Sequence, residues 1–167
     1  MLRNLANALL FQIGWFAAVL GGDSRWLGLV AAILILHLLW ISSWRAEGRL
    51  LIRVLVLGTL VDTLLRQAGV LAFKEPTVLI PLWLMLVWLL LATTLRHCLA
   101  WTARPWWRAS LLGALGGPLS YYAGAQLAGV SFPLGLWPAM LLLSLLWAAL
   151  LPVLHRLAQP RPMQENT

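Results

Sequence analysis

The chain has 167 residues, 62% of them hydrophobic and 10% charged, with a mean hydropathy of +0.86. Soluble domains carry about 25% charged residues and disordered chains need low hydrophobicity, so both classes are excluded. The net charge of +7 would suggest nucleic acid in a soluble protein, but the basic residues fall between apolar runs. That pattern points to membrane topology and anionic lipid headgroups, and no nucleic-acid partner is expected.

Six apolar runs follow one another, at about 5–21, 26–44, 50–73, 78–99, 109–130 and 132–154. Each is near the about 20 residues that a membrane span takes. Strict apolar–polar alternation is absent, which argues against a β-barrel. The predicted fold is therefore all-α, a polytopic membrane protein with six transmembrane helices in one bundle over residues 1–157. A short cytoplasmic tail is expected at 158–167.

The first run follows Arg3, as a signal peptide would, but it exceeds the usual apolar length and lacks a clear A-x-A site. It is expected to be the uncleaved first helix. Asn4, Gln12 and Trp15 share one sector of it, with Asn7 at the edge. Lipid-facing amides are costly, so this side should face the bundle. His37 lies in the cytoplasmic half of the second run.

The third run holds Asp62 near its middle, where an unpaired carboxylate costs at least about 2.5–3.5 kcal/mol. Arg66 stands one helical turn on and is the expected counter-ion, with Thr59, Thr63 and Gln67 beside the pair. The pair could lock the helix to its neighbours or line a polar cavity or proton path. The fourth run ends at His97 and Cys98. Cys98 is the only cysteine, so no internal disulfide can form.

In the fifth run Gly113, Gly117, Ser120, Gly124 and Ala128 make a small-residue stripe suited to close helix packing. Gly116-Gly117-Pro118 predicts an interruption or a kink, whose freed carbonyls must pair with another helix, a nearby hydroxyl or water. Tyr121 and Tyr122 add phenols at that depth, and a cavity is expected here first. The sixth run has no counterpart to Asp62 or Arg66, which counts against a transporter built from repeats.

Orientation follows from the basic residues. Arg3, Arg45, Arg49, Arg53, Arg96, Arg104, Arg108, Arg156 and Arg161 would share one side, against Arg25, Lys74 and Arg66 on the other. Positive residues stay in the cytoplasm, so both termini are expected there. Trp26, Trp83 and Trp137 fall toward the outer interface, and Trp40, Trp44, Trp101, Trp106 and Trp107 toward the inner one, as an aromatic belt does. Trp15, Trp88 and Trp147 sit deeper, and their N–H groups want partners.

His37, His97 and His155 have no i, i+3 or i, i+4 pairing, and no HExxH, CxxC, P-loop, GxGxxG or GxSxG motif occurs. No metal site and no cofactor is expected.

Several segments resemble one family: Asn7-x-x-x-Phe11-Gln12-x-Gly14-Trp15-Phe16, Gly58-x-x-x-Asp62, Gly69-Val70-Leu71-x-Phe73 and Pro81-x-Trp83-x-x-x-x-Trp88. Thr94-Leu95-x-His97-x-Leu99-x-Trp101 and Gly113-Ala114-x-Gly116-Gly117-Pro118-x-Ser120-Tyr121-x-Ala123-Gly124 complete the set. Together they resemble the bacterial inner-membrane family catalogued as domain of unknown function 2878, from about Asn4 to Leu157. The resemblance implies no activity. It implies a setting near cyclopropane-fatty-acid-synthase-like enzymes and flavin-dependent oxidoreductases, hence membrane fatty acids.

The leading expectation is an accessory or scaffold subunit that recruits cytoplasmic lipid-modifying enzymes, with membrane lipids as the other partner. An intramembrane enzyme is the first alternative, with Asp62, Arg66, His37 and Tyr121 sharing a polar pocket and Gln12 beside it. A small proton-coupled transporter or lipid flippase is the second.

Overall fold

The computed structural model describes residues 1–75 and 77–159. The described residues form six α-helices and no strand: α1 (Leu2–Gly21), α2 (Leu27–Leu36), α3 (Trp44–Gln67), α4 (Leu82–Thr94), α5 (Trp107–Ala128) and α6 (Leu136–Ala158). A π-turn, His37–Ile41, continues α2, and a 3₁₀ turn, Ala100–Thr102, precedes α5. Two helices, Leu2–Gly21 and Leu136–Ala158, are long and apolar enough to cross a membrane.

The helices alternate in direction. At one end the α3–α4 and α5–α6 loops exchange two backbone hydrogen bonds between Ala72 and Ser131, of 2.9 and 3.0 Å. Asp23, in the α1–α2 loop, joins them there. Its carboxylate accepts from the backbone N–H groups of Leu82 (3.1 Å) and Trp83 (2.7 Å). These are orphan donors at the start of α4, and a carboxylate there also meets the positive end of the helix dipole. Asp23→Ala is expected to cost about 1–2 kcal/mol in detergent-solubilised unfolding, and Asp23→Asn less. Equal stability of Asp23→Ala and the parent would remove this role. At the other end Arg96 donates to the carbonyls of Ala158 (2.7 Å) and Ala46 (2.6 Å), tying three helix ends together.

α3 is displaced from the expected 50–73 to Trp44–Gln67. Its start is set by Ser43, whose hydroxyl accepts from the Ala46 N–H at 3.3 Å. Its stop is set by Gly69 at φ +72°, a left-handed position that other residues resist. Asp62 therefore lies in the last third of α3 rather than at mid-helix. α4 is shorter than the expected 78–99: Pro81 precedes its start, and the chain turns after Thr94. The expected 26–44 run is α-helical only to Leu36, and the last run is shifted toward the C-terminus. Of the expected tail at 158–167, residues 160–167 lie outside the described residues.

α5 runs unbroken through Pro118, against the interruption that Gly116-Gly117-Pro118 predicts. Proline at 118 leaves the carbonyl of Ala114 without its helical donor. The Ser144 hydroxyl of α6 donates to that carbonyl at 2.8 Å. One borrowed hydrogen bond thus repairs the helix. α5 packs most extensively on α6, α4 on α1 and α3, and α1 touches α5 only sparsely.

The surface is apolar and the interior holds polar groups. Leu39 is 80% and Leu145 67% exposed, whereas Asn7, His37 and Glu47 are each 1% and Asp62 0%.

Candidate functional site

The apolar runs leave one large gap, where α1 and α5 stay apart. It is a cavity of about 560 Å³ bounded by α1, α4, α5 and α6. Trp15, Trp83, Trp88 and Trp147 supply much of its wall, and Gln12, Ser120 and Tyr121 its polar groups. The Trp147 indole N–H is buried and makes no hydrogen bond. Trp83, expected in the outer belt, is buried and faces this cavity.

Glycines shape the wall. A Cβ at Gly113 would lie 2.1 Å from the backbone oxygen of Trp147, and one at Gly117 2.3 Å from Trp147 Cγ. These two are the packing half of the predicted stripe. Gly113, Gly117, Ser120 and Gly124 all line the cavity as well, and Gly124 opens toward Trp15. A Cβ at Gly58 on α3 would lie 1.9 Å from Trp88 Cδ2, so only glycine lets that indole lie against α3.

Behind the cavity wall sits Asp62. The Trp88 N–H donates to its Oδ2 at 2.7 Å, and the Tyr121 hydroxyl donates to its Oδ1. Trp88 stacks on Trp147, with ring centroids 5.3 Å apart and planes 10° apart. Burying a carboxylate is costly unless its oxygens are paired, and here two side chains from other helices pair them.

Arg66 is not the partner. Its guanidinium donates to Thr77 Oγ1 (2.8 Å) and to the carbonyls of Leu79 (2.7 Å) and Glu75 (2.5 Å), and it lies over the Phe73 ring. The i, i+4 spacing is right, but α3 ends one residue after Arg66. The returning loop then offers three acceptors without any desolvation of the cation. Of the expected pocket, the structure joins Asp62 to Tyr121 and sets Gln12 on the same cavity as Tyr121. Arg66 and His37 are elsewhere.

His37 belongs to a second polar cluster. Glu47 and Asp62 are fifteen residues apart on α3, about 22 Å along its axis at about 1.5 Å per residue. His37 Nε2 lies 2.8 Å from Glu47 Oε2, and His97 Nε2 lies 2.7 Å from Glu47 Oε1. The two imidazoles meet edge to face at 5.2 Å. Asn7 braces them: its amide nitrogen lies 3.1 Å from the Thr93 carbonyl and 3.3 Å from His37 Nδ1, and its oxygen accepts from the Cys98 N–H. His155 is separate and pairs with the Thr102 hydroxyl at 2.7 Å.

Spacing could not find this cluster, because its members come from four segments. A signal was present all the same. Glu47 is one of five acidic residues in the chain and stands amid Arg45, Arg49 and Arg53, yet it is buried and pairs with none of them.

A family model described as a protein of unknown function (DUF2878) matches residues 4–153. No curated protein and no solved structure matches the chain.

Proposed function

Because the chain belongs to the DUF2878 family, whose description assigns no activity, we propose from its geometry that it is a six-span membrane protein holding a lipid acyl chain in the cavity between α1 and α5. It serves there as an accessory subunit for enzymes that modify membrane lipids. The cavity carries this proposal. Its about 560 Å³ falls in the range of about 300–1,000 Å³ typical of ligand pockets. Its wall is overwhelmingly apolar, as an acyl chain requires, with Gln12 and Ser120 among its few polar groups.

The membrane setting is supported by the apolar surface and the paired polar interior. The alternating helices gather Arg3, Arg45, Arg49, Arg96, Arg104, Arg108 and Arg156 at one end, which becomes the cytoplasmic face of a bacterial inner membrane. Trp40, Trp44, Trp101, Trp106 and Trp107 are exposed at that end and suit a docked partner as well as headgroups. The alternatives have less support. The carrier alternative drew on a broken α5, which is continuous, and on Asp62, whose oxygens are both paired. The enzyme alternative drew on Asp62, Arg66, His37 and Tyr121 sharing one pocket, and of these Asp62 and Tyr121 alone meet.

The test is native mass spectrometry of protein extracted with its lipids. A Cβ at Gly116 meets only Leu112 Cδ1, at 3.9 Å, so a side chain there can enter the cavity. The parent is expected to retain a lipid that Gly116→Phe loses while eluting as a folded species. Equal retention by both, or none by the parent, overturns the proposal for the cavity. A cytoplasmic enzyme cross-linked to the Arg- and Trp-rich face supports the accessory role, and lipid composition unchanged on deletion overturns it.

A further inference from the structure

We propose that His37, Glu47 and His97 bind a first-row divalent transition metal such as Zn²⁺ or Fe²⁺ at the Arg-rich end of the bundle. One ligand atom from each of the three residues lies within 4.8 Å of the others. Both imidazoles turn Nε2 toward one carboxylate, at 2.8 and 2.7 Å. Two imidazoles and one carboxylate make a donor set used by zinc sites with an open position and by non-haem iron sites.

Charge supports the assignment. Glu47 is 1% exposed, and a buried carboxylate is expensive without a positive partner. Among the described residues, histidines are its only ion-pair partners, although the same end is rich in arginine. Arg96, next to His97, spends its donors on the Ala46 and Ala158 carbonyls instead.

Local backbone structure is irregular where both histidines enter. His37 opens the π-turn, and His97 lies in the turn after α4.

The outer contact to His37 is set by Asn7. A metal on Nε2 leaves the ring proton of a neutral His37 on Nδ1, where it needs an acceptor. The Asn7 Nδ2 faces that atom at 3.3 Å and donates to the Thr93 carbonyl, while the Asn7 oxygen accepts from the Cys98 N–H. Metal binding therefore requires this amide to move and give Nδ1–H an acceptor. An aspartate at position 7 would supply the carboxylate–histidine–metal arrangement outright.

The experiment uses full-length protein without a histidine tag, purified in detergent. Bound metal is measured by elemental mass spectrometry, and Co²⁺ binding by its visible absorption. About one metal per chain is expected, with Co²⁺ affinity falling at least about 10–100-fold in Glu47→Gln and His97→Ala and unchanged in Gly116→Phe. Asn7→Asp is expected to bind as tightly as the parent or more so, whereas a purely hydrogen-bonding cluster would lose the Thr93 bond and gain a second buried carboxylate. Absence of Co²⁺ bands in the folded parent, equal binding by Glu47→Gln, or weakened binding by Asn7→Asp overturns the proposal. Should Glu47→Gln and His97→Ala fail to fold, parent stoichiometry and Asn7→Asp decide it.

Discussion

Gly113→Ala is expected to destabilise the protein by about 3 kcal/mol or more, at or beyond the top of the range for overpacked interiors. The added methyl would lie 2.1 Å from the Trp147 carbonyl oxygen, 2.9 Å from its carbon and 3.2 Å from Leu151 Cβ. Backbone cannot rotate out of the way as a side chain can, so α5 and α6 must part. Parting them also strains the bond from Ser144 to the Ala114 carbonyl. Gly116→Ala, three residues on, is the control. Its methyl meets only Leu112 Cδ1 at 3.9 Å, and the change gains up to about 1 kcal/mol of helix propensity. Denaturant or thermal unfolding in one detergent compares them. Equal effects would show that α5 tolerates a methyl against α6 and that the close approach is not required.

Asp62→Ala is expected to cost about 2–5 kcal/mol, from leaving the Trp88 and Tyr121 donors unpaired in the interior. Asp62→Asn should cost less than half as much. Its amide oxygen can accept from Trp88 Nε1, and its amide nitrogen can donate to the Tyr121 oxygen, because a hydroxyl both gives and takes. The comparison separates hydrogen bonding from charge. If Asn proves as damaging as Ala, the negative charge itself holds the site, and pairing alone does not account for Asp62. Indole fluorescence provides a second measure, since Trp88 is stacked on Trp147 and loses its only side-chain acceptor in Asp62→Ala.

The helical class and the order of the six helices were legible because each run exceeds the length of ordinary strands and lacks their period. The position of α3 was not. Arg45, Glu47, Arg49 and Arg53 lower the apolar content of its first turns, so an apolar window began late. The partner of Asp62 was misjudged for a different reason. Spacing on one helix identifies Arg66 as near but is blind to acceptors arriving from a returning loop, and to Trp88 and Tyr121 arriving from α4 and α5. The deep tryptophans were better guides. Trp88 wanted a partner, and Asp62 wanted a donor. The Glu47 cluster was illegible to spacing because it is assembled across helices.

Ser144 has a mechanical consequence. By supplying the donor that Pro118 cannot, it fixes the axial register of α5 against α6. A slip of one turn, about 5.4 Å, would leave a carbonyl bare in the interior. The two helices therefore act as a single stiff post. The compliant seam lies opposite, where α1 meets α5 at few residues. Widening of the cavity falls to that seam, where α1 can move while the α5–α6 post stands still.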